Sequence, residues 1–308
     1  MQQQAITALR QSLQTASLPF VEGEPLAAHT TFRIGGPATF WCTPQDRPQL
    51  RGTLACCKKQ GVRVYLLGNG SNTLFADEGF DGAVVDLRAL TGPLTVQPSG
   101  NEVLLTAGAG LTLGHLCGEA QQRGLTGLEF ACGIPGTVGG AVYMNAGAYG
   151  GELKDVLEEV TFLDEELKER SLPVSRLQMG YRTSVFEKNP AWCILSATVR
   201  LRHDDAGAVL DRMQEFLRRR KEKQPLEWPS AGSTFKRPQG AFAGRLIEQC
   251  GLRGFTVGGA QISEKHCGFV INRGGATCAD VVSLTEQVCK IVEQKTGYVL
   301  EREIRVVK

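Results

Sequence analysis

The sequence predicts a protein of mixed helices and strands, organised as two or three domains. The chain has 308 residues, more than one small hydrophobic core accommodates. Hydrophobic residues make up 42% of it and charged residues 21%, which is typical of a globular enzyme. Segments of helical periodicity and short apolar segments are interspersed along the whole chain. These observations predict both kinds of element, with a domain boundary inside the chain.

In the first two thirds of the chain, the predicted elements end at recognisable turn signals. The helix predicted at 47–60 stops at Gly61, a residue typical of a helix C-terminus. The apolar and β-branched segment 62–67 that follows predicts a buried strand. The same criteria predict helices at 5–16 and 115–123, and strands at 38–42, 82–87, 103–107, 156–163 and 193–201.

A change of subdomain is predicted near 205–225. A helix at 208–220 ends in a basic cluster, which favours the helix dipole, and Pro225 and Pro229 then prevent its continuation. Beyond it we predict helices at 242–250 and 279–296, and strands at 269–272 and 299–307. In a strand at 299–307, Glu301, Glu303 and Arg305 would share one face.

Charge and composition exclude several classes of protein. The net charge of +2 gives no basic field for nucleic acid. The Gln-rich segment from Met1 to Phe20 does not resemble a signal peptide, and no stretch approaches a membrane span. The 10 cysteines and 4 histidines lack the spacing of metal ligands. We therefore expect no metal, and cysteines that are reduced and mostly buried.

The most unusual stretch is the glycine-rich segment 133–151. Glycine at this density costs folding entropy, so a close approach of the backbone must require it. One interpretation is a cradle of main-chain amides for a dinucleotide diphosphate, since the segment holds no lysine or arginine before residue 152. The alternative is a tight chain crossing with glycines at its turns. Glycine count alone gives the two equal weight.

Two other glycine segments follow predicted strands. Gly68-Asn69-Gly70-Ser71-Asn72 offers amide and side-chain donors that suit a phosphate or a ribose, although this segment alone slightly favours a plain β-turn. The segment 108–114 resembles a dinucleotide fingerprint, but its third glycine is one position late and no strand–helix–strand repeat precedes it. We interpret 108–114 as a tight strand-to-helix turn.

Three further groups carry chemistry. The segment 230–236 brings Ser233 close to Lys236 along the chain, either as a turn before a helix or as a hydroxyl and an ammonium for a ligand phosphate. Hydrolase chemistry is poorly supported, because no nucleophile elbow surrounds the serine. Arg182 follows Gly180-Tyr181, and Glu303 matters only if its face of the chain lines a cleft.

Taken together and in order, these motifs resemble a known family. The segments T-T-F-R-I-G-G, L-G-N-G-S-N, G-I-P-G-T-V-G-G-A, N-A-G-A-Y, G-Y-R, S-A-G-S-T-F-K and a terminal E-x-E-I resemble UDP-N-acetylenolpyruvoylglucosamine reductases, in the short form without a tyrosine-loop insertion. The matches run from about Thr30 to Val306. Singly each motif is unspecific, whereas the ordered set is highly specific.

The resemblance implies an α+β flavoprotein. It implies the FAD-binding fold of the vanillyl-alcohol oxidase type, with two α+β subdomains split near 70–80, over residues 1–205. A C-terminal α+β substrate-binding domain would occupy 206–308. FAD would be held non-covalently, and His29 would not attach it. NADPH would reduce the flavin, and the enolpyruvyl UDP-sugar would then be reduced to UDP-N-acetylmuramate, a step of peptidoglycan precursor synthesis in the cytoplasm.

The resemblance also implies roles for single residues. The catalytic residues would be Arg182, Ser233 and Glu303: Arg182 would meet the developing negative charge, Ser233 would supply a proton, and a Glu303 kept neutral by burial would donate a hydrogen bond. Substrate binding would involve Tyr149, Tyr181, Arg182, Lys236, Arg237, Lys265 and His266. FAD binding would involve Arg33, Gly68, Asn69, Gly70, Ser71, Asn72, Pro135, Gly136, Thr137, Val138, Gly139, Gly140 and Ala141.

Two departures and two alternatives accompany this hypothesis. His29 stands where an aromatic residue such as tyrosine is frequent in the family. Arg237 stands where many members have asparagine, which leaves the contacts to the uridine diphosphate open. The first alternative is an FAD-dependent oxidase of the same scaffold acting on a sugar or alcohol. The second is a non-catalytic module that binds nucleotide sugars. We expect small-molecule partners only, no nucleic acid or membrane, and a monomer.

Overall fold

The computed structural model describes residues 3–308. Its α-helices agree with the predicted ones to within a few residues at each end, except for two short helices that sequence patterns missed, α4 and α5. The helices are α1 (Gln3–Thr15), α2 (Arg47–Lys59), α3 (Leu113–Gln122), α4 (Val138–Met144), α5 (Val185–Lys188), α6 (Ala206–Lys223), α7 (Ala243–Gln249) and α8 (Cys278–Thr296).

The strands are more numerous than the sequence indicates. They are β1 (Phe20–Pro25), β2 (Pro37–Cys42), β3 (Val64–Leu67), β4 (Thr73–Phe75), β5 (Phe80–Asp86), β6 (Thr95–Ser99), β7 (Glu102–Gly108), β8 (Leu125–Thr126), β9 (Gly147–Ala148), β10 (Gly151–Glu152), β11 (Leu157–Leu163), β12 (Glu169–Pro173), β13 (Cys193–His203), β14 (Ser230–Ser233), β15 (Thr256–Val257), β16 (Ala260–Ile262), β17 (Phe269–Asn272) and β18 (Arg305–Val307).

The chain divides into two compact units. Unit 1 contains the described residues 3–22, 40–69 and 82–219, and unit 2 contains Gly23–Thr39, Gly70–Asp81 and Arg220–Lys308. Three of the five boundaries fall within β1, β2 and β5, which with β3 form a four-stranded sheet in the order β1-β2-β5-β3. The chain therefore contributes to unit 2 twice before it reaches the C-terminal segment.

Unit 1 is built on an antiparallel sheet in the order β12-β11-β13-β7-β6, with β8 also paired to β13. The long strand β13 is central, and its pairing with β7 places Ser196 opposite Gly108. Helices α3 and α4 contribute Leu116 and Val142 to the same buried cluster as Leu105 of β7. This packing brings the N-terminal end of α4 to the end of β7.

A second cluster of unit 1 lies around the N-terminal helices. Leu9 of α1 and Leu50 of α2 are completely buried, together with Phe40 of β2 and Val85 of β5. The pattern of apolar residues in α1 and α2 is thus explained by one shared core. Asp46 caps α2, since its side chain accepts a hydrogen bond from the Gln49 amide.

Unit 2 packs α7 and α8 around a sheet in the order β14-β17-β16-β15. Val281, Leu284 and Val288 of α8 are completely buried. The carboxylate of Asp77 accepts hydrogen bonds from the Cys278 and Ala279 amides, at 2.6 and 2.9 Å, and so caps α8 from a distant segment. The last strand, β18, pairs in parallel with β4, Val306 lying opposite Leu74.

The predicted strand at 299–307 is wrong in extent, because only Arg305–Val307 is extended in a ladder. Before it, the chain forms only an isolated bridge between Arg302 and Phe235, and it bends at Ile304. The segment is held instead by single hydrogen bonds to Thr234, Lys236 and Asn72. The face that Glu301, Glu303 and Arg305 were expected to share is therefore not formed.

The cysteines follow the expectation from composition. All ten are free thiols and seven of them are buried. Burial raises the pKa of the Cys57 thiol to about 12, so that this side chain stays protonated at neutral pH. Buried thiols of this kind act as small apolar residues.

Candidate active site

Two glycine segments that lie 66 residues apart in the sequence meet in unit 1. Asn69, just after β3, donates a hydrogen bond from its side-chain amide to the Pro135 carbonyl at 2.7 Å. Gly68 lies so close to Thr137 that an added Cβ would be 2.5 Å from the threonine hydroxyl oxygen. The pairing is direct, and it needs glycine at 68.

The helix that follows, α4, explains why its own glycines are required. The Val138 amide donates to the Leu111 carbonyl at 2.8 Å, and the Gly139 amide to the Ala109 carbonyl at 2.9 Å. A Cβ on Gly139 would lie 2.9 Å from the Cβ of Ala109. The tight chain crossing therefore accounts for this part of the segment, and its amides are already in hydrogen bonds.

The residues at the meeting point fit a diphosphate. The paired segments, 68–69 and 135–137, combine small residues with the side chains of Asn69 and Thr137, and they hold no bulky group. Thr137 also caps α4, since its hydroxyl accepts a hydrogen bond from the Gly140 amide at 3.3 Å. A glycine-lined segment without bulky side chains lets a nucleotide phosphate approach the backbone closely.

The imperfect fingerprint at 108–114 is a tight turn, as predicted. A Cβ on Gly108 would lie 2.1 Å from the Thr91 carbonyl oxygen, and one on Gly110 would lie 2.2 Å from that of Leu87. These glycines let two stretches of backbone cross, and α3 begins directly afterwards at Leu113.

The rest of the first glycine loop belongs to unit 2. Gly70 has a φ of +60°, and an added Cβ would lie 2.3 Å from the His29 carbonyl oxygen. Asn72 donates from its side-chain amide to the Glu303 carbonyl at 3.1 Å, and its own carbonyl accepts from the Arg305 amide at 3.0 Å. Arg33 is exposed and has a φ of +56°.

Thr234, which follows Ser233, links the Ser233 segment to the Glu303 segment. Thr234 is 1% exposed, and its carbonyl accepts a hydrogen bond from the Glu303 amide at 2.8 Å. The Thr234 hydroxyl in turn accepts from the Val270 amide at 2.9 Å. Unit 2 thus anchors the serine segment and the glutamate segment to each other and to β17.

A bulge turns Ser233 out of the sheet. The register between β14 and β17 shifts between Ser230 and Ser233, and Gly232 has a φ of +76°. The exposed Ser233 hydroxyl donates to the Phe235 carbonyl at 3.2 Å. The segment that sequence patterns described as a turn is therefore a bulged strand, and the bulge places a hydroxyl in solvent.

Arg182 occupies a tight turn of unit 1. The amide of Gly180 donates to the Thr183 carbonyl at 3.1 Å, and that of Thr183 donates back at 3.3 Å. The guanidinium donates to the Gly147 carbonyl at 3.0 Å and to the Asn145 carbonyl at 3.5 Å, and it lies 4.9 Å from the centre of the Tyr181 ring.

The aromatic substrate-binding candidates are largely exposed. Tyr149 stacks on Phe216 of α6, with ring centres 4.6 Å apart and an angle of 9° between the planes. Tyr149 is 40% exposed and Tyr181 is 44% exposed. Aromatic faces of this kind are available to a ligand without a rearrangement of the core.

The basic candidates each have a partner in unit 2. Lys236 pairs with Glu301 at 3.1 Å, and Arg237 lies 3.8 Å above the Phe242 ring. Lys265 donates to the Lys221 carbonyl at 2.8 Å. The Nδ1 of His266 accepts a hydrogen bond from the Gly268 amide at 3.0 Å, and burial lowers the pKa of the His266 imidazole.

Sequence patterns did not single out Thr234 and Asn145. Both are buried polar side chains inside motifs whose neighbours attracted attention: Thr234 follows Ser233, and Asn145 opens N-A-G-A-Y. For Asn145 the available signal was a polar residue directly after the apolar run 141–144, whereas Thr234 stands among other polar residues and gives no such signal.

Among the described residues, no group of three or more His, Cys, Asp or Glu side chains is arranged to hold a metal ion. Within the same part of the chain, none of the helices combines the length and the apolar character that crossing a bilayer demands.

Comparisons with known proteins agree with this geometry. Residues 224–307 match the model of the C-terminal domain of UDP-N-acetylenolpyruvoylglucosamine reductase, and residues 38–166 match an FAD binding domain. UDP-N-acetylenolpyruvoylglucosamine reductases of Lachnoclostridium phytofermentans and Clostridium botulinum are 44% and 45% identical over 284 residues, which is 92% of this chain and 91% of each relative. The chain is a member of the UDP-N-acetylenolpyruvoylglucosamine reductase family.

Solved structures support the same assignment. The reductase of this family from Thermus caldophilus is 35% identical, with a TM-score of 0.78 over 94% of this chain and 99% of that one. Wild-type BBE-like 1 of Physcomitrella patens shares the fold alone, at 18% identity and a TM-score of 0.51 over 64% of this chain and 44% of that one. The predicted α+β flavoprotein fold, the FAD cofactor and the oxidoreductase class are confirmed. The reductase interpretation is favoured over the oxidase.

Proposed function

We propose that the protein reduces UDP-N-acetylglucosamine enolpyruvate to UDP-N-acetylmuramate, with FAD as bound cofactor and NADPH as reductant. The observation that carries the proposal is the meeting of the two glycine segments in unit 1, where Asn69 donates to the Pro135 carbonyl and Gly68 touches Thr137. FAD, when bound, supplies the hydride transfer from NADPH to the enolpyruvyl methylene carbon. The residues of the chain supply binding, orientation and the proton.

Arg182 is proposed to bind the enolpyruvyl carboxylate. A guanidinium is always protonated and grips a carboxylate at two points, so it stabilises the negative charge that develops as the methylene carbon is reduced. Its hydrogen bonds to two main-chain carbonyls, those of Asn145 and Gly147, orient it before substrate arrives. Pre-orientation of this kind lowers the cost of organising charge in the transition state.

Ser233 is proposed to deliver a proton to the carbon next to the carboxylate. Its hydroxyl is exposed, and rotation about one side-chain bond moves it away from the Phe235 carbonyl. Glu303, held beside it through the Thr234 carbonyl, is proposed to stabilise the same developing charge by donating a hydrogen bond. The basic side chains of Lys236, Arg237 and Lys265, with His266, are proposed to contact the UDP group.

The remaining proposals concern context. A UDP-sugar substrate and NADPH place the reaction in the cytoplasm, as part of peptidoglycan precursor synthesis and cell-wall formation. The residue set 1–205 for FAD binding and 206–308 for substrate binding, and a monomeric state, remain predictions. Light scattering coupled to size-exclusion chromatography tests the monomer.

An anaerobic absorbance experiment tests the function. The purified protein should show a flavin spectrum that NADPH bleaches and that the enolpyruvyl UDP-sugar then restores. Restoration by air but not by this substrate would instead identify an oxidase. A colourless protein that cannot be reconstituted with FAD would identify a binding module.

Ser233→Ala tests the proton donor. General acid catalysis contributes roughly a hundredfold to ten-thousandfold, so flavin reoxidation by the enolpyruvyl substrate should slow by about that factor. Reduction by NADPH should be unchanged, which stopped-flow absorbance measures on the same sample. Reoxidation at the wild-type rate would remove Ser233 from the mechanism.

A further inference from the structure

The turn that carries Arg182 is strained and is held from outside. Arg182 has a φ of +56°, a conformation that residues with a Cβ rarely adopt. Glycine or asparagine is the usual residue at such a turn position, so an arginine persists there only when its surroundings hold it. A hydrogen bond from another segment of unit 1 reaches this turn at the Gly180 carbonyl.

Asn145 is completely buried and lies against this turn. Its side-chain amide donates to the Gly180 carbonyl at 2.9 Å and to Glu152 at 3.0 Å. Its side-chain oxygen accepts from the Lys154 amide at 3.0 Å. Both amide hydrogens are therefore used, and one of them fixes the residue at which the turn begins.

The main chain of Asn145 also contacts the guanidinium. Asn145 ends α4 in the left-handed conformation, with φ 44° and ψ 59°. That conformation points the chain toward Gly147, so that the carbonyls of Asn145 and Gly147 both accept hydrogen bonds from Arg182. One residue thus holds the backbone of the turn with its side chain and the guanidinium with its carbonyl.

We propose that Asn145 is a positioning residue for the reductase reaction and acts by setting the place and orientation of the Arg182 guanidinium. The proposal rests on the proposed function of Arg182. Asparagine suits the position for two reasons: it tolerates positive φ better than other residues with a side chain, and its amide supplies two donors and an acceptor in one plane. Neither aspartate nor leucine offers both.

Asn145 also connects the C-terminal end of α4 to the turn that carries Arg182. Because α4 starts at Thr137, beside Gly68, its opposite end reaches the Arg182 turn through Asn145. The helix is 7 residues long, so the two ends are separated by about two turns. The glycine segment and the guanidinium are therefore held by one short rigid element.

The first test is Asn145→Asp, which keeps size and shape but replaces the two donor hydrogens with an acceptor. A displacement of about 1 Å in a catalytic group costs roughly a hundredfold in rate, and flavin reoxidation by the enolpyruvyl UDP-sugar should slow by about that factor. The rate of flavin reduction by NADPH and the FAD content should stay near wild type. Asn189→Asp is the matched control, because Asn189 also donates to a main-chain carbonyl, that of Val185, at 2.9 Å.

A double-mutant cycle separates positioning from general stability. In an Arg182→Ala background, Asn145→Asp should slow reoxidation by no further factor, since its effect passes through the guanidinium. The proposal would be overturned if the two substitutions slowed reoxidation by the product of their separate factors in the double variant. An equal loss of rate in flavin reduction and flavin reoxidation in Asn145→Asp would also overturn it. Should Asn145→Asp fail to fold, Asn145→Gly replaces it, because glycine retains the left-handed end of α4 and removes only the amide.

The cycle also distinguishes this proposal from the proposed function. Unchanged reoxidation in Arg182→Ala alone would contradict the role of Arg182 and the function derived from it. Slow reoxidation in Arg182→Ala together with a wild-type rate in Asn145→Asp would contradict the role of Asn145 alone.

Discussion

At the residue scale, strained backbone marks the candidate site. Of the seven non-glycine residues with positive φ in the described part of the chain, four are proposed site or positioning residues: Arg33, Asn145, Tyr149 and Arg182. Such conformations cost about 1–3 kcal/mol each, so surrounding contacts must hold them. At Arg182 those contacts are main-chain carbonyls, and at Tyr149 a stacked aromatic ring. At these four positions a strained backbone coincides with a proposed role in the site, because holding a side chain in one direction can require a strained backbone.

His266 gives a residue-scale prediction with a defined sign. Burial lowers the pKa of the folded imidazole below its ordinary 6.5, with Arg253 adding to the shift and Glu248 opposing it. The unfolded chain therefore binds more protons near pH 6, and the free energy of unfolding falls as pH falls through about 6.5, by at most about 1.4 kcal/mol per pH unit. Urea denaturation of wild type and His266→Gln between about pH 8 and pH 5 measures this. Equal pH slopes in the two proteins would show that His266 titrates alike in both states.

At the element scale, a bulged strand carries the proposed proton donor. β14 alone would not place Ser233 beside Glu303, because its ladder with β17 ends there. Beyond the ladder, the Thr234 hydroxyl accepts a hydrogen bond from the Val270 amide of β17. The Thr234 carbonyl accepts a second one from the Glu303 amide and so holds the Glu303 segment. The same arrangement explains why 299–304 is irregular: its hydrogen bonds go to single residues of another segment.

Substitution of Thr234 tests this account. Thr234→Val keeps the buried methyl group but leaves the Val270 amide without its acceptor, which should lower the free energy of unfolding by about 1–3 kcal/mol. The reoxidation half-reaction should slow as Ser233 and Glu303 shift. Thr234→Ser keeps the acceptor and serves as the control. If Thr234→Val proves no less stable than Thr234→Ser in urea, the hydroxyl does not anchor the strand.

At the scale of the whole molecule, the proposed FAD site combines segments far apart in sequence. Gly68 follows β3 and Thr137 starts α4, and each segment folds against different neighbours. Bound FAD should stabilise the native protein by mass action, so removal of FAD should lower the unfolding temperature and its return should restore it. The size of that shift reports whether the two segments remain paired.

Gly68→Ala should abolish the rise in unfolding temperature that FAD produces in the wild-type protein. Its Cβ would lie 2.5 Å from the Thr137 hydroxyl oxygen, closer than atoms approach without displacement, and the FAD content of the purified protein should fall. Gly118→Ala is the control, since Gly118 lies within α3 with open space around it and alanine should stabilise that helix by about 0.5–1 kcal/mol. Absorbance at the flavin band relative to protein, and thermal unfolding with and without added FAD, measure both. A Gly68→Ala protein with full flavin content would contradict the close pairing.

Sequence by itself determined the local elements, the family and the chemical class. Helix 47–60 and strand 193–201 appear nearly as predicted, because periodicity, a terminal Gly61 and apolar β-branched residues act within a few residues of each other. The ordered motifs were sufficient to indicate a flavin-dependent reductase, since the order of the whole set, which includes Gly68, Arg182 and Ser233, is the signal.

Only the tertiary structure decided which groups hold these residues in place. Asn72 reaches Glu303 across 231 positions of sequence, and Asn145 reaches Gly180 across 35. It also showed that the Gly139 amide is bound to the Ala109 carbonyl, and that only Arg305–Val307 of the last segment is a strand. Hydrogen bonds between distant segments and the close approach of two backbones depend on packing and register, and no local propensity encodes them.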